Sequence, residues 1–225
     1  MKYDILIPYD NNNDESLKLA LRSIEKHVDY KDVYLVSPKK PDWIKNVKHI
    51  KKDDVHKSNK DANLFDKVFC AIDAGIGDFL FWSDDQIIMK PHDFTVVYNV
   101  RNPLLLPVEG KWTKRLIRTG RYLRDKHKII LDKNYDSHVP QLMRPELFEK
   151  IRKIDYQSGL GYTICTLYFG LNLPQKEVEQ DTVKVTIEKE LGNTDKVFAG
   201  WNDKMFPVAK KHFEKLFDKK SSFEV

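Results

Sequence analysis

From Tyr3 to Trp82 the chain alternates two periodicities, and this alternation restricts it to few folds. Tyr3-Asp4-Ile5-Leu6-Ile7-Pro8 is an apolar run that proline stops, and Asp10 to Asp14 make a polar loop. Glu15 to Ile24 then carries apolar residues at helical spacing. Val33 to Ser37 reads as a second buried strand stopped by Pro38 and Pro41, and Val47 to Ile50 as a short third one leading to Asp53-Asp54. Asn63 to Ala74 places Leu64, Val68, Ala71 and Ile72 on one helical face, and Phe79-Leu80-Phe81-Trp82 is the next strand. Strands alternating with helices predict an α/β fold: right-handed crossovers and a mostly parallel central sheet flanked by helices. Ligands of such sheets collect beyond the carboxyl ends of the strands, where Pro8-Tyr9-Asp10, Asp53-Asp54 and Ser83-Asp84-Asp85 all fall. Two adjacent carboxylates at the end of a buried strand need a cation or a set of donors, because burying them unpaired is costly.

Beyond residue 90 the pattern loosens. Asp93 to Tyr98 and Leu104 to Leu106 read as strands, and Pro145 to Ile154, Gly161 to Phe169 and Phe206 to Phe217 as helices. Between them, Lys111, Lys114, Arg115, Arg118, Arg121, Arg124, Lys126 and Lys128 face a single acid, Asp125. Several recur at spacings of three and four, so a helix here would carry a cationic stripe. Like charges stacked this way repel, and a polyanion such as a nucleic-acid backbone relieves them.

At 225 residues, 41% hydrophobic and 32% charged, the expectation is a single domain over 1–225 with a sizeable core: a ligand-binding half over 1–92 and a less regular half over 93–225. No apolar stretch is long enough to span a bilayer, and the opening strand is too short for a signal peptide, so a cytoplasmic protein is expected. Cys70 and Cys165 alone provide no disulfide framework and no cysteine zinc site. The net charge of +5 is mild, and no stable protein partner can be inferred from it.

Pro8, the helix containing Leu21-Arg22-Ser23-Ile24, the strand Val33 to Ser37 and Phe79-Leu80-Phe81-Trp82-Ser83-Asp84-Asp85 together resemble a GT-A glycosyltransferase, over residues 1 to 155. In that family an Asp-any-Asp motif binds a divalent metal that grips the diphosphate of a nucleotide sugar. Ser83 occupies the first motif position here, which leaves Asp84 and Asp85. Arg22-Ser23-Ile24, Asp42-Trp43-Ile44, Asp84-Asp85 and Ser137-His138-Val139-Pro140-Gln141-Leu142-Met143 also run in the order of the blocks of Stealth-type sugar-phosphate transferases. Those enzymes place an arginine after the His-any-Pro block, where this chain reads Asp155-Tyr156-Gln157-Ser158-Gly159, so ordinary glycosyl transfer is the better expectation. The ending Leu216 to Glu224 is similar to that of small phage DNA-modifying glycosyltransferases, and inclines the acceptor expectation toward hydroxymethylated bases in DNA.

The resemblance implies roles. Asp84 and Asp85 would ligate Mg²⁺ or Mn²⁺, with His138 as third ligand, as acceptor contact or as base. Pro8, Tyr9 and Asp10 lie where the nucleotide base of a UDP-sugar is received. Lys60 or Lys67 would reach phosphate and Asn63 the ribose or base, while Asn59 and Asp61 suit a helix start. Asp203 is a further candidate base, and Lys111, Lys114, Arg115, Arg118 and Arg121 would meet the acceptor. The alternatives are Stealth-like sugar-phosphate transfer and a non-catalytic nucleic-acid-binding protein on a transferase-like fold.

Overall fold

A computed structural model describes residues 2–185, 191–193 and 195–225. The first half runs β1 (Tyr3–Pro8), α1 (Asp14–His27), β2 (Tyr30–Ser37), β3 (Lys48–Lys51), α2 (Lys60–Asp73) and β4 (Phe79–Phe81). There follow β5 (Gln86–Ile88), β6 (Val96–Tyr98), α3 (Lys111–His127) and β7 (Gln141–Met143). A 3₁₀ turn (Pro145–Phe148) then leads into α4 (Glu149–Arg152) and α5 (Ile164–Leu171). The chain ends with β8 (Glu177–Glu179), α6 (Gln180–Val183), β9 (Lys184–Val185), β10 (Phe198–Gly200) and α7 (Phe206–Phe213).

The main sheet has the order β3-β2-β1-β4-β7; all its pairings are parallel except β7 against β4. Ile5, Leu6 and Ile7 of the central strand are fully buried, which explains a continuous apolar run where a one-faced strand would alternate. In α1, Asn13 Oδ1 accepts the Ser16 N–H, acids open the helix, and Lys26 and His27 close it against the dipole. Leu17, Leu21 and Ile24 of α1 pack with β1 and β2 on one face of the sheet. Phe65, Val68 and Phe69 of α2 pack with α5 on the other. A second sheet, β5-β10-β9, and the pair β6-β8 flank this core.

α2 begins at Lys60, ahead of the predicted start, because Asn59 Oδ1 accepts the Ala62 N–H and caps it there. Leu104 to Leu106, expected as a strand, is a turn: Asn102 Oδ1 accepts the Leu104 N–H, and prolines 103 and 107 remove ladder donors. The strand expected over Asp93 to Tyr98 shortens to β6, since Asp93 Oδ1 takes the Thr95 N–H and hydroxyl. The basic segment is helical, as its spacing predicts, and buries Leu116, Ile117, Thr119, Gly120 and Leu123. A Cβ on Gly120 would stand 2.9 Å from Pro103, so glycine lets the loop after β6 lie against α3. The C-terminal tail straps across the β2 side: Glu224 receives Arg22 Nε and Nη2, each at 2.7 Å, and the Val225 N–H donates to Trp43 O. Arg22 is thereby committed to holding the tail. Cys70 and Cys165 are free thiols, the latter buried. Among the described residues no helix is long and apolar enough to cross a membrane.

Candidate functional site

β4 delivers its chain into a tight turn. Trp82, fully buried, donates its indole N–H to Gln86 O, and the Ser83 carbonyl accepts the Gln86 N–H. Asp84 and Asp85 form the tip before β5 leaves antiparallel to β10. The tip is bracketed from two elements. Ser16 Oγ, on the first turn of α1, donates to Asp84 O at 2.8 Å and accepts the Trp201 indole N–H at 3.0 Å. The Trp201 backbone N–H, just after β10, donates to Asp85 O.

Electrostatics at the tip are strained. Burial, then the charges of Asp85, Asp10 and Asp203, push the Asp84 carboxyl up to about 7. Burial acts the same way on Asp85, but the hydrogen bond and charge of His138, with further hydrogen bonds from Ser83 and the backbone, together outweigh it and hold Asp85 below its ordinary value. His138 Nε2 lies 3.1 Å from Asp85 Oδ2, whereas Asp85 Oδ1 is buried with no partner. His138 itself sits in the left-handed region at φ 53°, a conformation that the surroundings must impose on a residue with a Cβ. Its ring packs on Gly200, where an added Cβ would meet His138 Cδ2 at 2.9 Å.

Two cavities meet at this turn. One, of about 570 Å³, is lined by Asp10, Lys60, Asn63, Lys67, Asp84, Asp85 and Arg115. The other, of about 450 Å³, is lined by Asn99, Arg101, Trp112, Ser137, His138 and Lys184. Pro8, Asp61, Leu64 and Ser83 border both. The strand-end segments predicted to converge therefore do so, and the His138 block joins them through β7.

Several residues in the first cavity already have partners. Lys67 Nζ is buried against Tyr9 O at 2.8 Å and Asp54 Oδ1 at 2.8 Å, and so ties the ends of β1 and β3 to α2. Asn63 holds both backbone groups of His56, shaping the loop before α2. The Tyr9 ring is in the core and its hydroxyl donates to Asp14, with burial and that carboxylate pushing its pKa up. Asp10 stays exposed at the cavity rim, and Asp203 is exposed in the turn after Trp201.

The cationic stripe divides. Arg115 turns inward, Nε 2.6 Å from Asp61 Oδ2, an ion contact out of line for a hydrogen bond. Burial pushes Asp61 up to about 7 despite that arginine. Arg118 donates to Ser158 O and stacks on Tyr162. Lys111, Lys114 and Arg121 remain exposed.

Sequence reasoning missed Lys184 and the Ser16–Trp201 bracket. Lys184 Nζ donates to Ser137 O at 3.1 Å, and burial pushes it down to about 8 although Asp85 pulls the other way. No local pattern marks it: one lysine in a polar stretch becomes a site residue only because β9 pairs with β10.

Among the described residues no three His, Cys, Asp or Glu side chains cluster tightly enough to enclose a metal ion. The donor set fits an open site instead. Mg²⁺ and related hard cations are commonly held by one or two carboxylates plus substrate phosphates. A buried orphan oxygen on Asp85 and a carboxyl on Asp84 pressed by like charges are what such a cation would satisfy.

No protein-family model matches the chain, and no curated protein is similar to it. Among solved structures it is similar to the galactosyltransferase LgtC, solved in complex with donor and acceptor sugar analogues: TM-score 0.54 and 11% identity, over 97% of this chain and 96% of that one. It is also similar, at TM-score 0.49 and 11% identity over 96% of this chain and all of the other, to a glycosyltransferase involved in the glycosylation of the major capsid of PBCV-1. With its mostly parallel sheet flanked by helices, the chain has a GT-A-like α/β fold.

Proposed function

We propose that this protein is a metal-dependent glycosyltransferase that moves a sugar from a nucleoside diphosphate, UDP by preference, to a hydroxyl of an anionic acceptor. The observation that carries the reading is the Asp84–Asp85 tip: two adjacent half-buried carboxylates, one with a buried oxygen that has no partner, lining the first cavity beyond the carboxyl ends of a GT-A-like sheet, with Ser83 beside them bordering the second. Its likeness in fold to LgtC, whose structure holds donor and acceptor sugar analogues, supports the same reading.

Asp84 and Asp85 would hold a divalent cation, which supplies charge neutralisation for the diphosphate leaving group. Lys60, exposed at the rim of the first cavity, adds positive charge beside the phosphates. Ser16 and Trp201 fix the backbone of the acidic tip, so its carboxylates need little reorganisation when donor arrives. His138 meets Asp85 through Nε2, which favours the role of acceptor-side base, steadied by Asp85, over that of third ligand. Asp203 contributes charge at a distance from its exposed turn. The exposed lysines and arginines of α3 support an acceptor that is anionic or is carried on an anionic surface. The similarity of the C-terminal residues taken alone suggests duplex DNA bearing hydroxymethylcytosine, its target base flipped into the second cavity, as that acceptor; the apolar side chains exposed beside the basic ones weigh instead toward an acceptor carried on an anionic surface.

The test is to incubate the protein with UDP-sugars and Mn²⁺ and to identify the released nucleotide. UDP is expected. UMP would replace this reading with sugar-phosphate transfer. Nucleotide or DNA binding without turnover, unchanged in Asp84→Asn/Asp85→Asn, would replace it with a non-catalytic binding protein.

A further inference from the structure

Apolar side chains stand exposed where the basic charge is densest. Of the ten large apolar side chains exposed among the described residues, Val100 (57%), Leu105 (80%), Val108 (63%) and Ile130 (72%) fall within residues 100–130. The same stretch holds nine Lys and Arg against two acids, Glu109 and Asp125; Arg115 turns inward and Arg118 is held by Ser158 and Tyr162, and the other seven are exposed. Fold geometry keeps these groups together. Pro103 and Leu104 lie on Gly120, so the loop after β6 runs beside the middle of α3, and Ile130 follows the left-handed cap Lys128 at its far end. The loop is built to present its tip: Asn102 accepts N–H groups of both Leu104 and Leu105, which turns Leu105 outward while Pro103 is buried. Arg101, at the start of the loop, and Trp112, at the start of α3, line the cavity beside His138.

A polynucleotide accounts for the charge but leaves the aliphatic side chains in water. A bilayer surface of anionic lipids accounts for both, since phosphates attract the lysines and arginines while leucine, valine and isoleucine enter the headgroup boundary. We infer that the loop Val100–Gly110, α3 and Ile130 form a docking face for an anionic membrane, and that the face places the mouth of the second cavity at the lipid surface. The position of the mouth rests on the transferase reading; the docking face itself does not.

The experiment is co-sedimentation with vesicles of phosphatidylcholine alone and of phosphatidylcholine with 30% phosphatidylglycerol, without nucleotide or metal. The wild-type protein should pellet only with the anionic vesicles, and added salt should weaken but not abolish this. Leu105→Asp with Val108→Asp should lower the partition coefficient by more than about tenfold, and Lys111→Glu with Lys114→Glu by a similar factor. Both pairs are exposed, so circular dichroism melting should match wild type. Equal partition into neutral vesicles, or binding that the apolar variants leave intact, would overturn the proposal. So would binding of a 20-base-pair duplex, by fluorescence anisotropy, with no vesicle binding; that would make the face a nucleic-acid interface. Vesicle binding without sugar transfer would retire the transferase reading and leave the docking face standing.

Discussion

The two cavities that meet at Ser83, beside the acidic tip, differ in how they are built. The first is made of strand ends and the start of α2, so its carboxylates lie one element apart along an alternating pattern. The second is assembled from the β6–α3 loop, the start of α3, the His138 turn and β9, which approach only through long-range pairing. The first is acid-rich and suited to a cation with a diphosphate. The second carries Arg101, Lys184, Trp112 and His138, a set suited to an acceptor. On the proposed reading, donor handling would follow from topology, whereas acceptor choice would be set by segments the topology leaves free.

The largest effect should come from removing the carboxylates of the first cavity. Asp84→Asn with Asp85→Asn should lower sugar transfer by on the order of a thousandfold with little change in melting temperature, because relief of the repulsion on Asp84 offsets loss of the Asp85–His138 contact. Measured transfer near the wild-type rate would break the distinction between the cavities. Next is Gly200→Ala, whose Cβ would stand 2.9 Å from His138 Cδ2. Turning that ring away from Asp85 should cost about tenfold to a hundredfold in kcat, with little change in the KM for donor. A KM effect instead would place His138 on the donor side.

A smaller effect concerns pH. Asp84 is raised in the folded protein, to about 7, above its ordinary unfolded value. Between roughly pH 4 and pH 7 the folded state therefore binds more protons than the unfolded one, and the stability due to this group is lost as pH rises through that window. Asp61, also raised to about 7, adds in the same sense. Melting temperatures of the metal-free protein should fall across this range, less steeply in Asp84→Asn. An unchanged slope in that variant would show that Asp84 is not the strained group. The smallest effect is structural: Glu224→Gln should loosen the tail on Arg22 and cost about 1–3 kcal/mol of stability, read by urea unfolding, with kcat unchanged.

How much of this was legible in the sequence follows the same division. Ile5 to Ile7 and Phe79 to Trp82 announce buried parallel strands because burial on both faces demands unbroken apolar runs, and the spacing of α3 announces its helix. Leu104 to Leu106 misled, since three leucines satisfy an apolar-run rule while Asn102 and two prolines impose a turn. Lys67 and Asn63 look like ligand contacts in the sequence, but in the fold they hold Tyr9, Asp54 and His56. Lys184, Trp201 and Ser16 carried no local signal, because each gains its place through a partner far along the chain.

The central claim is that the Asp84–Asp85 tip holds a cation that receives a nucleoside diphosphate. Calorimetric titration of UDP into the protein, with and without Mn²⁺, tests it most directly. The account predicts that Mn²⁺ tightens UDP binding by at least about tenfold in the wild-type protein and has no effect in Asp84→Asn/Asp85→Asn. Metal-independent binding, or no binding of any nucleoside diphosphate with Mn²⁺ present, would contradict it.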